Sequence, residues 1–200
     1  VLYGIMPDNN KCVVLARVID GLAHRPVRGQ TGFDEYNYGA RRVSDAKISV
    51  EPVTGKNGRA EFVDVGRAFS ANLANSVPQL RSEQLELIDP NKNPFFGHGR
   101  AQFFIARRGG RNVGRISAHI DDLALAAPPE QGFGPGTGLF GYFDAEDEPT
   151  AHGLLAAAGE WLRAQRMTRA LGPISLSIWE EPGLLIKGQD HAPTIMMGHH

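Results

Sequence analysis

The chain has 200 residues, of which 42% are hydrophobic, and its formal net charge is -1, as is usual for one globular domain or one domain with an extension. The small net charge gives no overall field that would attract nucleic acid, and no apolar run reaches the ~20 residues of a bilayer span. Cys12 is the single cysteine, which excludes an intrachain disulfide framework and a thiolate metal cluster. Residues 1–10 lack signal-peptide features, so we predict a cytoplasmic protein.

The first 45 residues show no clear periodicity. Within them, residues 12–19 are compatible with either a strand or a short helix. We therefore predict a poorly packed extension in residues 1–45 and a folded domain in residues 46–200. The chain starts without methionine and stops directly after an apolar run, so we expect a fragment of a longer protein.

The domain is predicted to begin with a strand and two helices. Polarity alternates over residues 48–53, which indicates a strand. Apolar side chains recur at helical spacing in residues 58–73 and again in residues 79–89. The motif Asn93–Gly97 follows as a turn whose two phenylalanines are expected to pack at the entry to the sheet.

Residues 102–120 predict a β-hairpin with its turn at residues 108–111. Successive side chains of a strand point to opposite faces. In the second arm one face is apolar and the other is polar, with the sets Ile116, Ala118, Ile120 and Arg115, Ser117, His119. His119 is a candidate for orienting a substrate. The alternative, a surface or hydrogen-bonded sheet histidine, is the more frequent role of a single titratable residue.

The second half predicts a strand, a long helix and further strands. Residues 128–138 contain four glycines but precede a strand, so we expect a flexible lid or entry loop and not a phosphate loop. The apolar run of residues 139–143 predicts a strand covered on both faces. Glu148–Pro149 opens the long helix, and residues 170–171 and 194–197 predict two short strands.

A loop after the long helix carries two adjacent carboxylates beside an aromatic side chain. Glu180 and Glu181 follow Trp179, between Gly172–Pro173 and Pro182–Gly183. Apolar surroundings raise the pKa of a carboxylate towards the working pH, as a general base requires. The alternative, a pair of solvated loop acids, is the more frequent situation for any one glutamate.

Seven short motifs carry a resemblance to known proteins. They are Asn93–Phe96, Val113–Ile116, Gly138–Phe143, Trp161–Arg163, Leu171–Pro173, Glu181–Leu185 and Ile195–Met197. Together they resemble the bacterial ceramide synthase-like branch of GNAT-related acyltransferases. The order of the elements resembles the GNAT N-acyltransferase fold, an α/β architecture with a mixed sheet flanked by helices, here incomplete at its C-terminus. The resemblance covers about residues 46–200.

The resemblance implies transfer of an acyl group from a thioester, acyl-CoA or acyl-carrier-protein, to an amine. In the ceramide synthase-like branch this amine is a sphingoid base, which implies peripheral contact with the inner membrane. No permanently bound cofactor and no metal are implied. In this fold backbone N–H groups of the central strand stabilise the oxyanion, which assigns Leu139 and Gly141 to the thioester.

The resemblance also suggests roles for side chains. Glu181 is the first choice for general base, and Glu180 and Trp179 are expected to shape the acceptor pocket. Weaker candidates are His119 and Ser117 as catalytic or orienting groups and Ser177 in substrate binding. The aromatic side chains of the central strand are first of all core, but any that line a groove would suit an acyl chain: Phe140, Tyr142 and Phe143.

One segment departs from the GNAT pattern. Most GNAT enzymes bind the coenzyme A pyrophosphate with the motif Gln/Arg-x-x-Gly-x-Gly/Ala, which follows the central strand. At the corresponding position of this chain, residues 144–150 carry four carboxylates instead. These carboxylates suit a helix N-terminus as internal caps but should repel an anionic cofactor. Either the donor's phosphates bind elsewhere, or a protein carries the donor, or the site is degenerate. The last alternative predicts a lipid- or partner-binding module without catalysis, and the missing motif disfavours a general N-acetyltransferase.

A second departure concerns the end of the chain. Where ceramide synthase-like relatives often carry a tyrosine, this chain reads Gly198–His200, so no tyrosine acid for the leaving thiolate is assigned.

Overall fold

The computed structural model describes residues 2–5, 13–16, 46–71, 76–77, 79–177 and 182–183. In chain order the elements are β1 (Leu2–Ile5), β2 (Val13–Ala16), β3 (Ile48–Pro52), α1 (Gly55–Ser70), α2 (Arg81–Leu87), a 3-10 helix (Pro94–Gly97), β4 (Gly99–Arg108), β5 (Arg111–Asp121), α3 (Asp122–Ala126), a further 3-10 helix (Pro129–Gln131), β6 (Thr137–Ala145), α4 (Glu148–Ala164) and β7 (Arg169–Leu171).

A five-stranded mixed sheet organises the domain. Its strand order is β3-β4-β5-β6-β7, with antiparallel pairing from β3 to β6 and parallel pairing between β6 and β7. The mixed sheet flanked by helices that the sequence predicted is therefore confirmed. β1 and β2 pair as a separate antiparallel ribbon, so the strand alternative holds for Val13–Ala16.

Two apolar cores cover the two faces of the sheet. The core beneath α4 takes the predicted apolar face of β5, and its buried members include Ile116, Ala118, Ile120, Phe140, Leu154 and Leu162. The core beneath α1 and α2 lies on the opposite face, with Phe62, Val63, Ile88, Phe95, Phe103 and Leu176 among its buried members. Because β5 alternates, its polar face points into this second core.

Most predicted elements form at shifted bounds. α1 begins three residues earlier than residue 58, and α2 is a short helix of seven residues that ends before Asp89. The phenylalanine turn is a 3-10 helix, in which the Asn93 side chain accepts a hydrogen bond from the Phe95 amide at 2.9 Å. Phe95 is buried in the second core, as expected for packing at the entry to the sheet.

The glycine-rich loop is tied to β7 by one arginine. Arg169 donates to the Gly132 carbonyl at 2.7 Å, to the Phe133 carbonyl at 2.8 Å and to Thr137 Oγ1 at 2.8 Å. Arg169 lies in β7 and anchors the loop to it. The lid role of this loop stays a prediction, and the strand predicted at residues 194–197 lies outside the described residues.

Pairing between β6 and β7 ends early and gives way to a tight crossing. The two strands are in register from Thr137 opposite Arg169 to Leu139 opposite Leu171. Beyond that point the Ile174 amide donates to the Phe140 carbonyl at 2.7 Å. Ile174 also forms a β-bridge with Pro182, so the described residues on the two sides of the carboxylate loop lie next to each other.

Candidate active site

Strand β6, whose backbone is predicted to contact the thioester, contains a β-bulge. Arg115 is opposite Asp144 and Ser117 is opposite Gly141, so two residues of β6, Tyr142 and Phe143, face the single residue between them in β5. Tyr142 has φ 45°, in the left-handed region that is uncommon for a bulky residue. Bulges re-aim side chains and are frequent next to active sites.

The bulge separates the aromatic residues that were predicted to bind the acyl chain. In a regular strand Phe140 and Tyr142 would share one face. Instead Phe140 is buried beneath α4 and packs against Phe143, with ring centroids 6.3 Å apart. Tyr142 joins the other core, 5.8 Å from the Phe62 ring centroid. The structure therefore does not bring the three aromatic side chains together in one pocket.

The two residues assigned to the thioester lie just before the bulge. Leu139 is paired on both sides, with His119 of β5 and with Leu171 of β7. Gly141 is opposite Ser117, and on its other side a Cβ would overlap the Ile174 carbonyl. Only glycine allows this close approach of two backbones, which sets the edge of β6 against the segment that leads to the carboxylates.

The polar face of β5 is buried in the second core. Ser117 and His119 are fully buried, and Ser117 Oγ lies 3.4 Å from His119 Nδ1. Burial lowers the pKa of His119 to about 4, although a contact with the Ser175 backbone acts in the opposite direction. The imidazole is therefore neutral at pH 7. A surface histidine is excluded, while the hydrogen-bonded sheet histidine fits the contact with Ser117.

The second ring nitrogen of His119 is also buried. Within the described part of the chain, Nε2 has no hydrogen-bond partner of good geometry. The Ser175 backbone lies close enough to favour the protonated ring, but this effect is smaller than that of burial. With its pKa lowered, His119 is a weak base at neutral pH, so this ring suits orientation better than proton abstraction.

The predicted carboxylates of the loop fall outside the described residues, as does Trp179. Ser177, the last described residue before them, is half-buried, and its neighbour Leu176 is buried in the second core. Glu181 directly precedes Pro182, which forms a β-bridge with Ile174. The general-base assignment therefore stays a prediction.

The N-terminus of α4 is occupied by an internal carboxylate. Asp147 caps the helix by accepting from the Thr150 amide at 3.0 Å and from Thr150 Oγ1 at 2.6 Å. It also forms an ion pair with buried Arg108 at 2.7 Å, and this contact holds the pKa of Asp147 well below its usual range. The expected internal cap is confirmed.

Two more acids of this segment pair with arginines of the hairpin. Glu146 meets Arg111 at 2.7 Å, and Asp144 meets Arg115 at 2.6 Å. The acids of this segment are therefore largely neutralised by arginines. A pyrophosphate is disfavoured here mainly because the helix amide and the arginines that could bind it already have partners within the chain. Sequence reasoning recognised the acids but missed their partners, because the pairs join residues 29 or more positions apart.

Two further properties of the described residues bear on cofactors and membranes. In that part of the chain, no group of three or more His, Cys, Asp or Glu side chains is arranged to hold a metal ion. None of its helices combines the length and the apolar character that a membrane crossing needs.

Comparison with known proteins supports the resemblance predicted from the sequence. The bacterial ceramide synthase of Caulobacter vibrioides (strain NA1000 / CB15N) is 42% identical over 157 residues, which cover 78% of this chain and 40% of the relative. The chain is ceramide synthase-like. Protein YghO of Escherichia coli (strain K12) is 37% identical to this ceramide synthase-like chain over 145 residues, or 72% of the chain and 36% of the relative. The chain thus spans about two fifths of these relatives.

No protein-family model matches the ceramide synthase-like chain. Among solved structures, a tandem GNAT protein from the clavulanic acid biosynthesis pathway has a TM-score of 0.44 at 14% identity, covering 60% of this chain and 34% of its own. An aminoglycoside acetyltransferase from an uncultured soil metagenomic sample has a TM-score of 0.45 at 12% identity, covering 64% of this chain and 78% of its own. Both likenesses are distant.

Proposed function

We propose that the protein is an N-acyltransferase that joins a long-chain acyl group to the amine of a sphingoid base. The observation that supports this proposal most strongly is the 42% identity to a bacterial ceramide synthase over 157 residues. In the reaction the amine nitrogen attacks the thioester carbonyl, the tetrahedral intermediate collapses, and the C–S bond breaks. The products are an amide and a thiol.

The attacking amine must first lose a proton. An alkylammonium has a pKa of about 10.4, so at neutral pH it is protonated and cannot attack. We assign the proton transfer to Glu181, because it precedes Pro182, and Pro182 bridges Ile174, whose amide is hydrogen-bonded to β6. Trp179 and Glu180 border the acceptor, and the backbone of β6 near Leu139 and Gly141 stabilises the oxyanion.

The donor is a thioester of either coenzyme A or an acyl carrier protein. Because Asp147 and Arg108 occupy the N-terminus of α4, the phosphates of coenzyme A would have to bind at another part of the protein. The acceptor is a lipid, so the enzyme would reach it by peripheral contact with the inner membrane from the cytoplasm. No permanently bound cofactor takes part.

The test uses the full-length protein with long-chain acyl-CoA and a panel of amines that includes sphinganine, and detects new amides by mass spectrometry. Loss of a general base typically costs 10²–10⁴-fold in rate, so we expect a drop of about that size in Glu181→Gln. Glu83→Gln is the matched control, since Glu83 is an exposed acid of α2. Glu181→Gln with wild-type turnover would remove Glu181 from the mechanism.

A second function is favoured by one observation. The occupied N-terminus of α4 is what a degenerate module would show if it binds a lipid or a partner without catalysis. In that case a folded full-length protein would form no amide from either acyl-CoA or acyl-carrier-protein thioesters. It would still bind sphinganine or anionic vesicles. Amide formation would rule this alternative out.

A further inference from the structure

One buried arginine contacts the bulged strand on both sides of its extra residue. Arg115 Nε donates to Asp144 Oδ2 at 2.6 Å. Its guanidinium also lies over the Tyr142 ring, 5.5 Å from the ring centroid. Because Tyr142 and Asp144 flank Phe143, these two contacts hold the bulge from both ends.

The same guanidinium is fixed against α1. Arg115 Nη1 donates to the Phe62 carbonyl at 3.3 Å, and the group lies 5.0 Å from the Phe62 ring centroid. On the next turn of α1, a Cβ at Gly66 would overlap the guanidinium, so the glycine leaves the space that Arg115 occupies. The arginine side chain is 9% exposed, and it joins α1, β5 and β6.

Arginine is better suited to these contacts than lysine. A planar guanidinium can stack on two rings while its N–H groups point to separate acceptors, whereas a lysine ammonium is a compact point charge. The left-handed conformation of Tyr142 is unfavourable for a bulky residue, and such conformations persist only where the surroundings determine them. The contacts of Arg115 are part of those surroundings.

We infer that Arg115 is a positioning residue for the proposed acyl transfer, and that Asp144 is its anchor. Arg115 fixes the bulge of β6 and thereby the backbone that faces the thioester carbonyl. This role rests on the proposed function and extends it to residues that do not touch the reacting atoms. It also gives Asp144, the first acid of the segment that departs from the GNAT pattern, a role other than capping a helix.

The expected consequence is a loss of turnover more than of binding. Oxyanion donors act at 2.7–3.1 Å from the developing charge, and a displacement of ~1 Å can cost about 10²-fold in rate. We therefore expect Arg115→Lys and Asp144→Asn to lower kcat by about 10- to 100-fold. The KM values for the acyl donor and for the amine should change little, because the substrates meet other groups.

The experiment compares kcat and KM of full-length variants with long-chain acyl-CoA and sphinganine, alongside thermal unfolding. Arg111→Lys is the matched control. Arg111 also lies on β5 and pairs with an acid of the same segment, Glu146, at 2.7 Å, but its side chain is 63% exposed and lies away from the bulge. It should keep wild-type kcat. The double variant Arg115→Lys/Asp144→Asn should be no slower than the slower single variant, because both changes remove one interaction.

The outcomes separate the two proposals. Wild-type kcat in folded Arg115→Lys would overturn the positioning role while leaving the acyltransferase proposal intact. No amide from wild type or from Arg111→Lys would overturn the acyltransferase proposal, and the positioning role with it. If Arg115→Lys does not fold, Gly66→Ala provides the test, since it displaces the guanidinium without removing it, and unchanged kcat there would also overturn the role.

Discussion

Arg108 and Asp147 form a bidentate ion pair between the end of β4 and the start of α4. Arg108 Nη1 lies 2.7 Å from Asp147 Oδ2, and Arg108 Nη2 donates to Asp147 Oδ1 at 2.9 Å. The carboxylate also meets the helix end, where the partial charge is positive. The anion that this helix end attracts is therefore part of the chain, and the arginine that holds it comes from the neighbouring hairpin.

Replacing Asp147 should separate its capping role from its ion pair. Asp147→Ala removes both and leaves the buried Arg108 guanidinium without its carboxylate, although Thr150 Oγ1 at 3.1 Å still accepts from it. We therefore expect the free energy of unfolding to fall by about 3 kcal/mol, the lower end of the cost of breaking a buried ion pair. Asp147→Ser keeps a capping oxygen and should recover about 1 kcal/mol of that loss. Urea unfolding at pH 7 measures both changes.

Glu148→Ala is the control for this prediction. Glu148 is an exposed acid in the same first turn, so its loss should cost less than about 1 kcal/mol. Equal stabilities of Asp147→Ala and Glu148→Ala would mean that the cap and the ion pair of Asp147 together contribute no more than an exposed acid of the first turn.

The buried histidine should make stability depend on pH. The folded pKa of His119 is lowered to about 4, whereas an unfolded histidine titrates at about 6.5. Below about pH 6.5 the unfolded chain binds a proton at His119 that the folded chain does not bind. Protonation therefore favours the unfolded state, and the free energy of unfolding decreases as the pH falls towards 4. The expected loss from this group between pH 7.5 and pH 5 is about 2 kcal/mol.

His119→Gln tests this pH dependence because glutamine does not titrate. Urea unfolding of both proteins at pH 5, 6 and 7.5 should show a shallower pH dependence in the variant, whatever its stability at pH 7.5. Parallel pH profiles would show that the imidazole is protonated, or accessible to water, in the folded protein.

Patterns of local sequence predicted the fold better than they predicted the site. The alternation of β5 located both faces correctly, because one face must be apolar to pack under α4. The bulge could not be predicted, since the apolar run of residues 139–143 shows no alternation and the residue in the left-handed conformation is Tyr142, not a glycine.

The pairing of arginines with acids was equally hidden from local patterns. Arg115 and Asp144 meet only because β5 and β6 are adjacent and in that register. The sequence did indicate that the acids belong to a helix start, and Asp147 confirms it. A charge pattern along the chain thus located the helix end, but the sheet determined which partner each acid found.

Two glycines in helices should respond to alanine with opposite signs. In a helix interior, alanine is favoured over glycine by about 0.5–1 kcal/mol. At Gly153 of α4 a Cβ would make an ordinary contact, 3.4 Å from Val50 Cγ2, so Gly153→Ala should stabilise the protein by that amount. At Gly66 the Cβ would displace the Arg115 guanidinium, so Gly66→Ala should destabilise it. Thermal unfolding of the two variants checks the signs, and stabilisation by Gly66→Ala would show that Arg115 moves aside freely.

Gly141 is where β6 and the segment after β7 approach most closely, and alanine there should separate them. A Cβ would overlap the Ile174 carbonyl, and a backbone group cannot rotate away as a flexible side chain can. We expect Gly141→Ala to lower the free energy of unfolding by about 1–3 kcal/mol, the usual cost of overpacking. Amide hydrogen exchange at Ile174 should accelerate, because the displaced segment loses its 2.7 Å hydrogen bond to the Phe140 carbonyl.

Gly97→Ala is the control, since a Cβ there meets open space, and its stability should stay within about 0.5 kcal/mol of wild type. Unchanged exchange at Ile174 in Gly141→Ala would mean that the segment leading to Glu181 is not held against β6.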